Sequence, residues 1–311
     1  MPGFLVFPTH VVLHLLVALL LPPLIPGLIA KTKAAMAGRQ GPPVLQLYYD
    51  LARLARKEAV FSRTTTWVFL AGPVGALAAG WVASLLIPFG QTPAPVAFQG
   101  DVILFAYLFG LARFLTILAA LDTGSAFEGM GAAREAAFSA LAEPALFLGF
   151  AALAKATQSL SLTPMLLSHG ADGGRLTGPL ILVLAGWATV YLAENARIPV
   201  DDPSTHLELT MIHEVMVLDH SGPDLALVQY GAAVKLWIFS SLLAGLFLPP
   251  GLPPWLSGGL FLGGILLVAL LVGAVESSMA RLRLSRVPQL LGLAAVLAGL
   301  AVLLLASGGG P

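Results

Sequence analysis

Apolar stretches of nearly membrane-crossing length recur along this chain, and no other feature of the sequence limits its fold as much. A helix needs about 20 apolar residues to cross the hydrocarbon core of a bilayer. Stretches of that kind lie at Pro8–Ile29, Thr65–Pro88, Val102–Leu121, Phe138–Gln158, Gly178–Ala193, Leu225–Leu248, Leu256–Val275 and Val287–Ala306. The fifth is short, and Leu176 and Asn195 are expected to complete its ends. Only 10% of the 311 residues are charged, against about 25% in a soluble domain, which leaves too little polar surface to face water. The expected fold is all-α: a polytopic membrane protein of about eight transmembrane helices, with 1–311 as one domain.

The distribution of Lys and Arg gives the orientation. Lys31, Lys33, Arg39, Arg53, Arg56, Lys57 and Arg63 lie between the first two spans. Arg134, Arg197, Arg281, Arg283 and Arg286 lie in the other odd-numbered connections. Twelve of the 16 basic residues therefore gather on one side, which makes 31–63, 122–137, 194–224 and 276–286 the expected cytoplasmic loops. Both termini then lie on the far face of the cell's inner (cytoplasmic) membrane. No basic residue precedes Lys31, so the N-terminal stretch reads as a first span and not as a cleaved signal peptide. Within the first loop, Val44, Leu45, Leu47, Tyr48, Leu51, Leu54 and Ala55 repeat at helical spacing, with Asp50, Arg53, Arg56 and Lys57 opposite them. That pattern predicts an amphipathic helix in Val44–Glu58, lying in the interface or against a partner.

Ionisable residues inside or beside spans carry the functional information. An unpaired charge at mid-bilayer costs at least about 2.5–3.5 kcal/mol, so such a group must face the protein interior, find a partner or meet water. Arg113 lies near the middle of the third span, Lys235 near the middle of the sixth, and Glu143 just before Pro144 in the fourth. Glu194 and Glu276 end spans, Asp122 and Glu128 follow the third, and Glu135 opens the fourth. Depth favours a function for Glu143, Arg113 and Lys235, whereas the span-end residues Glu276 and Asp122 read more simply as structural ion pairs.

The densest charge lies after the fifth span, from Glu194 to Asp224, with Glu194, Asp201, Asp202, Glu208, Glu214, Asp219 and Asp224. Ser204 or Thr205 is placed to cap a helix starting near His206. Two readings of this segment stand. It is an ordinary solvated acidic loop, or it is a set of carboxylates close enough to raise one another's pKa and hold protons near neutral pH.

Several other chemistries are excluded. There is no cysteine, hence no thiolate nucleophile, iron–sulfur ligation or cysteine-bound zinc in this chain. His213-Glu214 opens an H-E-x-x-H pattern, but Val217 occupies the second histidine position. His206, His213 and His220 recur every seven residues, which on a helix spreads them too far apart to share a metal and suggests a stripe facing a partner. Gly129-Met130-Gly131 reads as a loop and not as a phosphate cradle. The net charge is zero, so no basic field points to nucleic acid.

Four blocks resemble a known family. They are Arg39-Gln-Gly-Pro-Pro with LQLYYDLARLARKE at 45–58, GAAREAAFSALAEP at 131–144, ENARIPVDDPSTHLELTMIHE at 194–214 and ARLRLSRVPQLLG at 280–292. Together they resemble the membrane heel subunit shared by complex I and the energy-converting, group 4 [NiFe] hydrogenases. The E-x-x-R-x-P-x-D pattern beginning at Glu194 is the most specific. THLELTMIHE is closer to the formate hydrogenlyase type, and Asp202-Pro203-Ser204 stands where quinone-reducing relatives have Leu-Pro-Glu. Gln229 occupies the neighbourhood where relatives often have a carboxylate.

The resemblance implies a non-catalytic subunit, without a cofactor of its own, that couples electron transfer in a soluble arm to ion translocation. Implied neighbours are a hydrogenase-like large subunit with a [NiFe] centre, a small subunit with iron–sulfur clusters, and antiporter-like membrane subunits. Implied relay residues are Glu135, Glu143, Glu194, Asp201, Asp202, Glu208 and Glu214, with Arg113, Lys235 and Arg197 as charge partners and Arg39, Arg134, Arg281 and Arg283 on partner-contact loops. The alternative reading is the quinone-site subunit of a complex I-type NADH–quinone oxidoreductase, with quinone as its ligand. A self-contained secondary transporter would require inverted repeats, and none is evident.

Overall fold

The computed structural model describes residues 9–167, 178–201 and 211–307. The chain is all-α. Its helices are α1 (Thr9–Leu20), α2 (Leu24–Met36), α3 (Gln46–Leu54), α4 (Trp67–Ser84), α5 (Asp101–Asp122), α6 (Ala126–Thr157), α7 (Leu162–Leu167), α8 (Gly178–Glu194), α9 (Gly222–Leu246), α10 (Pro254–Ser278) and α11 (Val287–Ser307). Among the described residues, α4, α5, α6, α9, α10 and α11 are long and apolar enough to cross a membrane. The pair α1–α2 adds a seventh crossing if its 47° bend is counted as one broken span. α8 is apolar but has only 17 residues, at the position where the sequence predicts a short span. Each of the eight predicted stretches thus coincides with a helix or a bent pair.

Connections gather at two ends. At one end Val60 N–H donates to Ser221 Oγ, Thr64 Oγ1 to Thr123 O, and Leu282 N–H to Pro199 O. At the other, Gln91 meets Ser257 and Pro249, and Gly100 N–H donates to Leu160 O. The odd-numbered, basic connections therefore share one end of the bundle. Leucines on the outer faces of α10 and α11, including Leu267, Leu271, Leu293 and Leu303, are exposed. Such stripes would be anomalous in water and fit lipid contact. Trp67 and Trp255, at the starts of α4 and α10, are exposed at the levels where aromatic belts form.

Two local departures from the predicted elements follow from backbone chemistry. The first is α6, which starts at Ala126 rather than Phe138 and runs for 32 residues. The stretch AFEGMGAAREAAFSALAE is rich in strong helix formers, so the helix continues past the membrane-length apolar window. Only Thr123–Ser125 separates α5 from α6. Gly129-Met130-Gly131, expected as a loop, is helical, and a Cβ on Gly131 would collide with the Val215 side chain. That glycine lets α6 pack directly on the 3₁₀ turn Glu214–Val217.

The second is the break between α1 and α2. Pro22 and Pro23 lack N–H groups, so carbonyls in the preceding turn lose their helical donors. Tyr230 OH on α9 donates to Leu19 O at 2.8 Å, and Tyr48 OH on α3 donates to Leu20 O. An unmet carbonyl in a membrane-embedded segment is costly, so the two hydroxyls close the break. They also explain where the predicted amphipathic helix sits. α3 packs against α2 and α9, with Leu47, Tyr48, Leu51 and Leu54 half-buried. Tyr230→Phe keeps the ring and removes one donor. The expected loss is about 1 kcal/mol, read as a lower thermal unfolding midpoint of the purified protein.

Candidate functional site

Arg113, on α5, is the centre of a charge cluster built from four helices. Its guanidinium contacts Glu143 of α6, Glu194 Oε1 of α8 at 2.6 Å, and Glu135 of α6 at 3.5 Å. Lys235 of α9 binds the other oxygen of Glu194 at 2.8 Å. Glu135 and Glu143 stand eight residues apart, slightly over two turns, so one side of α6 presents both. The Glu194 side chain is 5% exposed and is gripped by both cations. Of the residues singled out for their depth in the sequence, Arg113 and Glu143 are in direct contact, and Lys235 joins them through Glu194.

Two cavities meet at this cluster. A cavity of about 200 Å³ is lined by α4, α5, α9 and the segment after α8, and its wall includes Arg113, Glu135, Glu194, His213, Glu214 and Lys235. A second, of about 610 Å³, opens between α5 and α6 among apolar residues such as Tyr107, Phe147 and Phe150, with Arg113, Glu143 and Glu194 at its base. Glu135 lines the first cavity and Glu143 the second, while Arg113 and Glu194 line both.

The segment after α8 is held from below. Asp201 is buried; its Oδ1 pairs with Arg281 at 2.9 Å and its Oδ2 accepts from Ile212 and His213 N–H. Arg134 donates to Met211 O at 2.8 Å. Arg134 and Arg281, predicted on partner-contact loops, thus spend donors on the chain's own acidic segment. Arg39 and Arg283 are exposed at the same end of the bundle. Arg197 joins a separate cluster: Glu276, whose side chain is fully buried, lies 2.8 Å from Lys33 and 3.5 Å from Arg197. Asp122 accepts from Thr66 N–H and Thr66 Oγ1 and so ties the end of α5 to the start of α4. Asp202, Glu208, His206 and the helix predicted after Thr205 lie outside the described residues.

The histidine stripe is corrected. No α-helix joins His213 to His220; the 3₁₀ turn Glu214–Val217 lies between them. His220 is buried and stacks on Phe69 with ring centroids 4.0 Å apart, so it packs inside and does not face a partner. Burial pushes its imidazole down to about 4, against a smaller opposing pull from Asp219.

Two further carboxylates are buried: Glu128, noted in the sequence only as following the third span, and Asp101, which the sequence reading did not single out. Glu128, in the first turn of α6, accepts from Asp219 N–H. Asp101, at the start of α5, accepts from Ser161 Oγ and Leu162 N–H. The glycine before Asp101 was the available signal, since Asp at a helix start commonly takes orphan donors.

Arg113→Gln leaves three carboxylates without their shared cation and is expected to cost about 3–5 kcal/mol, seen as a lower unfolding midpoint; Glu194→Gln in the same chain should recover part of it. The neutral His220 gives an acid limb. The unfolded chain takes a proton near pH 6.5 and the folded one only near 4, so this contribution is intact above about pH 6.5 and declines as pH falls toward 4. His220→Phe should flatten that limb in thermal unfolding measured against pH.

A family model described as NADH dehydrogenase matches residues 9–307. Formate hydrogenlyase subunit 4 of Escherichia coli (strain K12) is 31% identical over 86% of this chain and 89% of its own length. Hydrogenase-4 component C of the same organism is 32% identical over 85% of each. A subunit of the NADH-quinone oxidoreductase of Rubrobacter xylanophilus is 28% identical over 70% of this chain and 65% of its own. The fold is shared with a chain of the membrane-bound sulfane sulfur reductase, an archaeal respiratory membrane complex. The TM-score is 0.82 at 20% identity, covering 96% of this chain and 98% of that one.

Proposed function

The chain belongs to the NADH dehydrogenase family, and from that premise we propose that it is the membrane-anchoring, proton-relaying subunit of an energy-converting hydrogenase complex of the formate hydrogenlyase kind. The observation that carries this reading is the Arg113 cluster, where carboxylates from α6 and α8 share a cation between two cavities. Relatives named for hydrogenases match more closely than those named for NADH–quinone oxidoreductases, which favours the hydrogenase branch over a quinone-site subunit.

In this reading the basic end faces the cytoplasm and both termini lie across the inner membrane. The exposed Arg39 and Arg283 and the outer face of the acidic segment meet a hydrogenase-like large subunit with its [NiFe] centre and a small subunit with iron–sulfur clusters. Antiporter-like membrane subunits lie alongside the bundle. Redox change in the soluble arm repolarises the segment carrying Asp201, Asp202, Glu208 and Glu214. Glu214 lines the same cavity as Glu135 and Glu194, so an altered field there acts on the cluster in a medium that screens charge weakly. Arg113 then connects that cavity to Glu143, and Arg197 steadies the segment through Glu276.

The test is Glu143→Gln in the intact complex. Assembly and electron transfer should persist while proton translocation into vesicles falls to background. Undiminished translocation by that variant would remove the relay role and leave a passive anchor.

A further inference from the structure

A third cavity, of about 470 Å³, lies at the basic end, where the last turn of α2 and the turn after it meet the end of α10. Its wall includes Lys33, Met36, Arg39, Gln40 and Ser277, and among the described residues no carboxylate lines it. Glu276, next to Ser277, turns inward and has a fully buried side chain. Lys33 and Arg197 both pair with it, which sets two cations against one carboxylate. Arg39 is exposed and makes no ion pair among the described residues. The pocket therefore carries an excess of positive charge.

The backbone shapes this pocket for an anion. The N–H groups of Ala37, Gly38 and Arg39 donate to the carbonyls of Lys33, Ala35 and Ala34. Carbonyls at the end of α2, which would repel an anion, are thereby occupied. Gly41 folds back onto Ala34, where a Cβ would lie 2.4 Å from that of the alanine. One turn below Ser277, Gly273 meets Thr32, so α2 and α10 touch beneath the pocket. Ser277 also ends a stripe at helical spacing formed by Leu267, Leu270, Leu271 and Ala274, and the leucines of that stripe are exposed. Leu267 to Ser277 covers about 15 Å of helix, half of a hydrocarbon core of about 30 Å. A soluble anion gains nothing from that stripe, whereas a lipid chain covers it.

We propose that this pocket seats the phosphate of an anionic phospholipid from the leaflet at the basic end, with one acyl chain laid along Leu271, Leu270 and Leu267. Basic pockets between helices on that side of a membrane suit such head groups. The Lys33 ammonium has three hydrogens and spends one on Glu276, so the others serve the phosphate. Arg39 supplies a second cation. Its guanidinium carries five donors, enough to hold a lipid phosphate and still meet a soluble partner at its outer edge. A zwitterionic head group brings its own ammonium, which two cations disfavour. The inference does not depend on the relay reading.

The chain has no cysteine, so Leu271→Cys carries a fluorophore at a unique place on the stripe. In the full chain, held in phosphatidylcholine nanodiscs, a small fraction of phosphatidylglycerol with brominated acyl chains should quench that label more than the same fraction of brominated phosphatidylcholine. Arg39→Gln should lower the preference about fivefold, the factor that one basic residue contributes at an anionic surface. Arg283→Gln, at the same end but off the pocket wall, should leave it unchanged. Equal quenching by the two lipids overturns the proposal, and so does a preference that Arg39→Gln does not diminish. A preference of the same size for a label at Leu293→Cys, at similar depth on the outer face of α11, would mean diffuse attraction to the basic end and would overturn it too. Loss of the preference on adding inorganic phosphate at ordinary buffer strength would assign the pocket to a soluble anion and reject the lipid.

Discussion

One guanidinium in contact with three carboxylates fixes the middle of this protein. Arg113 cannot be deprotonated under any ordinary condition, so its positive charge is a permanent feature of the bundle interior. α6 and α8 must deliver carboxylates to it, and α9 must deliver Lys235 to balance them. The surrounding helix faces are largely apolar and close-packed, with few other directional contacts such as Trp187 to Leu146 and Ser240 to Tyr191. The ionic cluster gives them a register, because breaking a buried pair leaves an unmet charge and costs several kcal/mol.

The same principle organises the basic end at smaller scale. Glu276 is held between Lys33 and Arg197, and Asp201 between Arg281 and two backbone N–H groups. Each ties the segment after α8 to a part of the chain distant in sequence. Where the acidic segment is described, Glu194 and Asp201 are buried against cations and backbone N–H groups and not against other carboxylates, while Asp219 is exposed. Glu128 adds a tie from α6 to Asp219.

Much of this was legible because a bilayer punishes misplaced charge so strongly. Arg113, Lys235 and Glu143 stood out by depth alone, and their association follows from the need of each for a partner. The eight apolar stretches were legible for the same reason. What could not be read was anything set by long-range packing. The extension of α6 to Ala126 was hidden because hydropathy ends where charge begins, while helical propensity does not. His220 repeats with His213 at a helical interval, yet Phe69, far away in sequence, determines its environment. Arg134 and Arg281 looked like surface residues because short-range pattern cannot distinguish a cation aimed outward from one aimed at a buried carbonyl or carboxylate. The tyrosines that close the α1–α2 break were invisible for a like reason, although the two prolines that create it were plain.

The length of α6 has a mechanical meaning. At 1.5 Å per residue its 32 residues reach about 48 Å, well beyond a hydrocarbon core of about 30 Å. The turns nearest the basic end carry Glu128 and the glycine-lined contact with Glu214–Val217, and Glu135 and Glu143 follow deeper in the bundle. Pro144 removes one backbone hydrogen bond beside Glu143, so the rod has a compliant point there. A subunit leaning on the overhang would therefore shift Glu135, on the near side of that point, more than Glu143, and would change their distances to Arg113 unequally.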